Sequence, residues 1–216
     1  MSNNLSIPQE FTLLALDRDT KKLKSIFRMH THIYVIMACF VELSIAGKIK
    51  FENNDTITVT SSSPTEEKYL DRLLQILSDE KPKEFKKWIS YFYHKHLFKQ
   101  EEIYTLVIES LVNQGILEIK DSDILNVIPV KKYIDSRNNR NRIVEKIRAE
   151  LLEDGKLEEH TIALVLFLNS KNMLKDYFSD FEHKTLKQRV ATLHNEEIYG
   201  KVQSFEKVIQ DIDIGL

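Results

Sequence analysis

The densest chemical potential in this chain lies in KKYIDSRNNRNRIVEKIR, residues 131–148. Seven cations, Lys131, Lys132, Arg137, Arg140, Arg142, Lys146 and Arg148, face only Asp135 and Glu145, a surplus of five in a chain with a formal charge of −2. Arg137, Arg140 and Arg142 fall where a helix is expected to begin. The open N–H groups and the positive end of the dipole at such a terminus favour an anion. Guanidinium groups beside it would add bidentate contacts to phosphate oxygens. The chemistry on offer is anion binding, to which lipid head groups and nucleic acid are suited on charge alone. A solvated helix face is the plainer reading of the same residues.

Other reactive side chains are less suggestively arranged. His30/His32 and His94/His96 are spaced two apart, so on a helix their rings diverge, and exposed histidines rather than metal ligands are expected. Ser61, Ser62 and Ser63 read as loop and cap, and no GxSxG elbow is present. Cys39 sits in an apolar run that would raise its thiol pKa rather than activate it. Five scattered glycines cannot build a phosphate-cradling loop. No catalytic residue, metal or cofactor is therefore expected, and the chain does not read as an enzyme. Phe85, Trp88 and Phe92 follow helical spacing and read as core, with Phe98 as core or flank, whereas Tyr91 and Tyr93 point elsewhere and could meet a partner.

The elements that would hold these residues are helices. Of 216 residues, 42% are hydrophobic and 30% charged, with only 5 Gly and 4 Pro, a composition that favours a mainly α fold. The net charge argues against a general nucleic-acid binder. A single cysteine fits a reduced compartment. The first residues lack the pattern of a signal peptide. The longest apolar run, Ile33 to Ile45, is shorter than the roughly 20 residues of a membrane span. The expected location is cytoplasmic, at most peripheral on the cytoplasmic face of a membrane.

Pro8 is expected in the first turn of a short helix carrying Phe11, Leu13, Leu14 and Leu16. A central apolar helix from about His30 to Ala46 stops at Gly47, and Ile49, Phe51, Ile57 and Val59 then alternate as a hairpin. Ser63-Pro64-Thr65-Glu66 reads as a capping box opening a helix with Leu70, Leu73, Leu74 and Leu77 on one face. Pro82 is expected to start another, and a further helix spans about 100–114 with Ile103, Val107 and Leu111 buried. The helix–glycine–hairpin unit then recurs at an offset of 68: Leu43 matches Leu111, Gly47 matches Gly115, Asp55 matches Asp123 and Val59 matches Val127. A helix with Ile143, Val144, Ile147, Leu151 and Leu152 inward follows. A second apolar helix, HTIALVLFLNSKNML, and an amphipathic remainder complete a single domain over 1–216. The expected fold is mainly α, a single compact domain of central apolar helices wrapped by amphipathic ones, with two short β-hairpins.

EFTLLALDRDTKKLKS, CFVELSIAGKIKF, TEEKYLDRLLQIL, KKWISYF, SLVNQGIL, RNRIVEKIRAELL and TIALVLFLNSKNML occur in the order and spacing of one family. Through them, residues 8–195 resemble the Golgi phosphoprotein 3 family, as a divergent member of bacterial type. The resemblance implies the helical domain above and a protruding hairpin used in membrane contact and self-association, with Ile119, Ile124, Leu125 and Val127 as its apolar positions here. Golgi members recognise phosphatidylinositol 4-phosphate and act as peripheral adaptors that retain glycosyltransferases. Their head-group site combines a tryptophan, an arginine nine residues later, and an Arg-x-x-Arg pair before the LVxxG segment. On this chain the tryptophan position is Phe27, an aromatic beside Arg28, while the arginine positions are Ile36, Glu101 and Tyr104. Glu101 would repel a phosphate.

The leading expectation is a peripheral adaptor that contacts an anionic phospholipid surface through Phe27, Arg28, Arg137, Arg140 and Arg142. It would serve an unidentified client protein, self-associate through its hairpins and take no cofactor. The alternatives are a soluble oligomeric interaction module without lipid affinity and a winged-helix nucleic-acid binder. The last is disfavoured, because no basic side chain lies between Ile33 and Ala46 and the helix before Gly115 carries Glu101, Glu102 and Glu109. Nucleic acid is not an expected partner.

Overall fold

The structure is a computed structural model that describes residues 5–19, 25–52, 54–124, 128–153 and 157–192; the side chains of residues 17–30 and 121–132 lie outside the described set. Helices α1 (Ile7–Asp19) and α2 (Ser25–Ile45) lead into strands β1 (Ile49–Phe51) and β2 (Thr56–Val59). Helix α3 (Lys68–Ser78), strand β3 (Lys83–Glu84), helix α4 (Phe85–Ser90), a π-helical turn (Tyr91–Lys95) and helix α5 (Leu97–Asn113) follow. A long hairpin, β4 (Glu118–Ile124) and β5 (Ile128–Ile134), precedes α6 (Asn139–Leu151), α7 (Glu159–Ser170), α8 (Leu174–Tyr177) and α9 (Asp180–Thr192). The fold is mainly α, as expected.

The two apolar helices form the centre. Every side chain from Thr31 to Val41 of α2 and from Thr161 to Leu168 of α7 is buried, so neither helix has a described solvent face there. Between them Phe11 of α1 stacks on Tyr34 and meets Phe167 edge-on at 6.2 Å. Burying side chains of this size stabilises by roughly 1.5–3 kcal/mol each relative to exposure. No helix among the described residues is long and apolar enough to cross a membrane.

Polar groups inside this packing are answered by one another, as burial demands. Glu42 accepts the Ile7 N–H at 2.8 Å, and burial pushes its carboxyl up despite that bond. Glu10 meets His160 Nε2 at 2.8 Å, tying α1 to α7. Glu67, at the start of α3, receives hydrogen bonds from Gln9, Ser110 and Gln114, which ties α1, α3 and α5 together. Buried Glu150 caps α7, accepting from Glu158 N–H and the Thr161 hydroxyl. Cys39 is free and buried, and its thiol is pushed up by burial, as its apolar setting implies.

Both units of the internal repeat turn on a left-handed glycine, Gly47 at φ +64° and Gly115 at φ +66°, the conformation a glycine adopts without steric penalty. Beyond that point they diverge. In the first unit β1 pairs with β2 in the expected register, Ile49 opposite Val59 and Phe51 opposite Ile57, and β3 adds a third antiparallel strand. Asp55 occupies the turn at φ +57°. In the second unit Asp123 lies within β4 opposite Pro129, and the strands are seven residues long with no third strand beside them among the described residues.

Three local expectations are corrected. Ser63 does not cap α3, because the Lys48 ammonium captures its hydroxyl at 2.6 Å; the helix opens at Lys68 after Thr65 N–H bonds Asp71 at 2.6 Å. Pro82 precedes a strand rather than a helix, since Lys83 and Glu84 pair with Ile57 and Thr56 before α4 begins. Helix α1, expected to be short, runs on to Asp19, beyond the apolar positions that end at Leu16.

Candidate functional site

The locus that the resemblance assigns to a head group lies between α2 and α5. Phe27 and Arg28 belong to the first turn of α2, with side chains outside the described residues. Ile36 is fully buried in the core. Glu101, on the first turns of α5, places its carboxylate 3.0 Å from His32 Nδ1, and the His32 ring stacks on Tyr104 at 3.9 Å. His32 is therefore buried and partnered rather than exposed, because α5 packs on the face of α2 that it occupies. Beside it, Lys171 from the C-terminal end of α7 donates to Thr31 and lies 5.3 Å from the Tyr34 ring. The locus thus pairs an imidazole with a carboxylate where paired guanidinium groups would be needed to hold a phosphate.

The basic segment 131–148 is largely wired into the fold. Asn138 enters α6 at φ +58° without capping it, and Asp135 does so instead. Its carboxylate accepts the N–H groups of Asn139 at 3.0 Å and Arg140 at 2.9 Å, together with the Asn139 side chain. The anion at this helix terminus is the protein's own. Arg140 turns inward and donates through Nε to the Leu13 carbonyl at 2.9 Å. Arg148 binds Glu182 and Glu145, each at 2.7 Å, and Lys146 lies 3.6 Å from Glu158. Arg148, followed by Ser179, holds the Glu182 carboxyl down at about 2. Arg137 and Arg142 are exposed and have no acidic partner among the described residues, Arg137 lying against Gly115. The geometry therefore gathers the predicted arginines around one helix start but leaves two, not three, facing outward.

Of the hairpin positions, Ile119 is 44% exposed on β4. The side chain of Ile124 and both Leu125 and Val127 lie outside the described residues.

A second basic region escaped the sequence reading. Residues 81–99, KPKEFKKWISYFYHKHLFK, hold Lys81, Lys83, Lys86, Lys87, Lys95 and Lys99 against Glu84 alone, again a surplus of five. The π-helical turn, a wider coil than the α-helix, buries Tyr91, Phe92 and Tyr93 consecutively, so Tyr91 and Tyr93 are not the outward contacts expected of them. Lys83 lies 4.4 Å from the Trp88 ring, and Lys99 donates to the Tyr91 hydroxyl. His96 sits 3.9 Å from Tyr91. Phe98, read as core or flank, is 93% exposed, and its neighbour Leu97 is 43% exposed. Counting lysines across 81–99 would have found the charge; nothing in the helical periodicity would have found the exposed phenylalanine.

Residues 7–212 match the family model described as Golgi phosphoprotein 3 (GPP34). No curated protein matches the chain.

Proposed function

The chain belongs to the Golgi phosphoprotein 3 family, and from that premise we propose that it is a peripheral, membrane-associating adaptor that contacts anionic phospholipid by surface charge and carries out no catalysis. The observation that carries this reading is the exposed pair Arg137 and Arg142 at the opening of α6, two cations without acidic partners among the described residues of a chain whose net charge is −2. Cations held this way attract any anionic surface. Selection of one phosphorylated head group would call for converging donors, and the family locus offers Glu101 against His32 instead. The favoured ligand is an anionic bilayer on the cytoplasmic side rather than a single phosphoinositide, with a protein client completing the adaptor role.

Vesicle co-sedimentation tests this. Binding is expected to phosphatidylserine-containing vesicles and not to phosphatidylcholine alone, and it should fall as salt shortens the reach of charge to ~8 Å at physiological strength. Vesicles with phosphatidylinositol 4-phosphate at matched charge should bind no more tightly. Absence of binding to anionic vesicles at low salt would overturn the proposal.

One observation favours a second reading, a soluble oligomeric module without lipid affinity. Strands β4 and β5 pair with each other alone among the described residues, and such edges accept a further strand. Light scattering separates the readings: a strict monomer unaffected by Ile119→Lys would remove this one.

A further inference from the structure

Leu97 and Phe98 open α5, separated from the π-helical turn only by His96, whose backbone leaves the helical region at φ −134°. Five large apolar side chains among the described residues are exposed: Ile45, Leu97, Phe98, Ile119 and Phe181. Only Leu97 and Phe98 are adjacent in the chain, and Phe98 is the most exposed of the five. Cations precede and flank it, while Glu101 and Glu102, one turn further along α5, are engaged by His32 and Arg72. Lys95 and Lys99 flank the pair, Lys95 without an acidic partner among the described residues, and His94 and His96 stand beside them. Lys83, paired with Glu80 at 2.8 Å, and Lys99 reach the same Tyr91 ring, at 5.6 and 5.1 Å. Helix α5 has no side-chain cap at His96, so the positive end of its dipole faces the same way.

Phe181, 80% exposed, makes the contrast. Its chain neighbours are Asp180 and Glu182, the latter bound to Arg148, and no other exposed large apolar side chain adjoins it in the chain. One exposed phenylalanine adjoins an exposed leucine between two lysines, and the other stands singly between two carboxylates along the chain.

We propose that Leu97 and Phe98 form an apolar wedge that enters the interface of an anionic bilayer, with Lys95 and Lys99 engaging the head groups around it. An aromatic ring framed by lysines suits that interface: the ring replaces water with acyl chain, and the flexible ammonium stems stay at head-group level. This inference rests on the membrane-association reading above and adds the element that inserts.

The test uses the full chain and vesicles of phosphatidylcholine with phosphatidylserine. Because Phe98 is almost wholly exposed, Phe98→Ser should leave folding intact, while affinity for anionic vesicles falls about tenfold. Phe181→Ser should change nothing. Cys39, the only cysteine, is fully buried, so Phe98→Cys offers a single accessible thiol for a polarity-sensitive dye. Its emission should shift to the blue on anionic vesicles and be quenched by brominated acyl chains, whereas a dye on Phe181→Cys should do neither. If the wild-type protein binds vesicles but Phe98→Ser binds equally well and the dye at 98 is unmoved, the wedge falls and the charge-based reading stands. If the wild-type protein binds no vesicle, both fall. A loss of mass by light scattering in Phe98→Ser without lipid would assign the patch to a protein contact and overturn the wedge.

Discussion

Residues 81–99 and 131–148 carry the same surplus of five positive charges, and the fold treats them differently. In 131–148 Arg140 is drawn inward to Leu13, Arg148 is clamped by Glu145 and Glu182, Lys146 faces Glu158, and the helix terminus is filled by Asp135. In 81–99 Lys83 and Lys87 meet Glu80 and Glu84, but Lys95 has no acidic partner among the described residues and lies beside exposed Leu97 and Phe98. Much of the charge in the first case holds helices together. In the second, Lys95 and Lys99 flank an apolar corner. Equal charge in a sequence therefore says little about charge presented to a partner, because each cation is first offered to whatever carboxylates and carbonyls the packing brings within reach.

The largest expected effect tests the structural half of this contrast. Asp135→Ala strips the first turn of α6 of its acceptor and should lower unfolding free energy by up to about 2 kcal/mol in urea titrations, the upper end for a lost helix cap. A stability equal to wild type would show that the segment is not held as described. Next, Lys95→Glu should leave the urea midpoint unmoved and weaken anionic-vesicle binding about tenfold, since each cation near such a surface is worth ~1 kcal/mol and reversal counts twice, with some loss to screening. Unchanged binding would remove Lys95 from the contact. A smaller loss, about threefold to fivefold, is expected for Arg142→Ala, a neutralisation rather than a reversal. If Arg142→Ala outweighed Lys95→Glu, the ranking of the two regions would invert.

The smallest effect concerns Glu182. Its carboxyl is held at about 2 in the folded chain, against about 4.3 when unfolded. A depressed pKa means that its contribution is complete above the unfolded value and is lost as pH falls through the folded one. The pair is partly exposed, so the contribution should stay below about 1 kcal/mol. Glu182→Gln should accordingly flatten the decline of stability between roughly pH 4 and pH 2. An unchanged slope would mean that the Arg148 clamp is not formed in solution.

Helix existence was legible wherever apolar periodicity was strong: α2, α3, α5, α6 and α7 each cover the apolar residues that marked them, although α2 begins at Ser25 rather than near His30 and α3 only at Lys68. The two glycines were legible because a left-handed residue after an apolar helix leaves few other choices. Strand β3 was not, since two residues carry no period and Lys83 and Glu84 become a strand only by finding β2. The candidate site was legible in part. Replacement of the arginine positions by Ile36, Glu101 and Tyr104 could be counted along the chain, but the burial of His32 and its contact with Glu101 required α2 and α5 to be packed. Tyr91 and Tyr93 were misjudged because an α-helical period was applied to a π-helical turn.

The amino-acid sequence alone determined the helical class, the repeated helix–glycine–hairpin unit and the family, because these rest on local periodicity, backbone freedom and the order of short segments. Only the tertiary structure decided which cations remain for a partner and which phenylalanine meets solvent. Arg140 and Leu13 are 127 residues apart, and Arg148 and Glu182 are 34 apart. Pairing at such distances depends on where helices pack, and the free energy of a charge or a ring is set by those neighbours rather than by its own place in the chain.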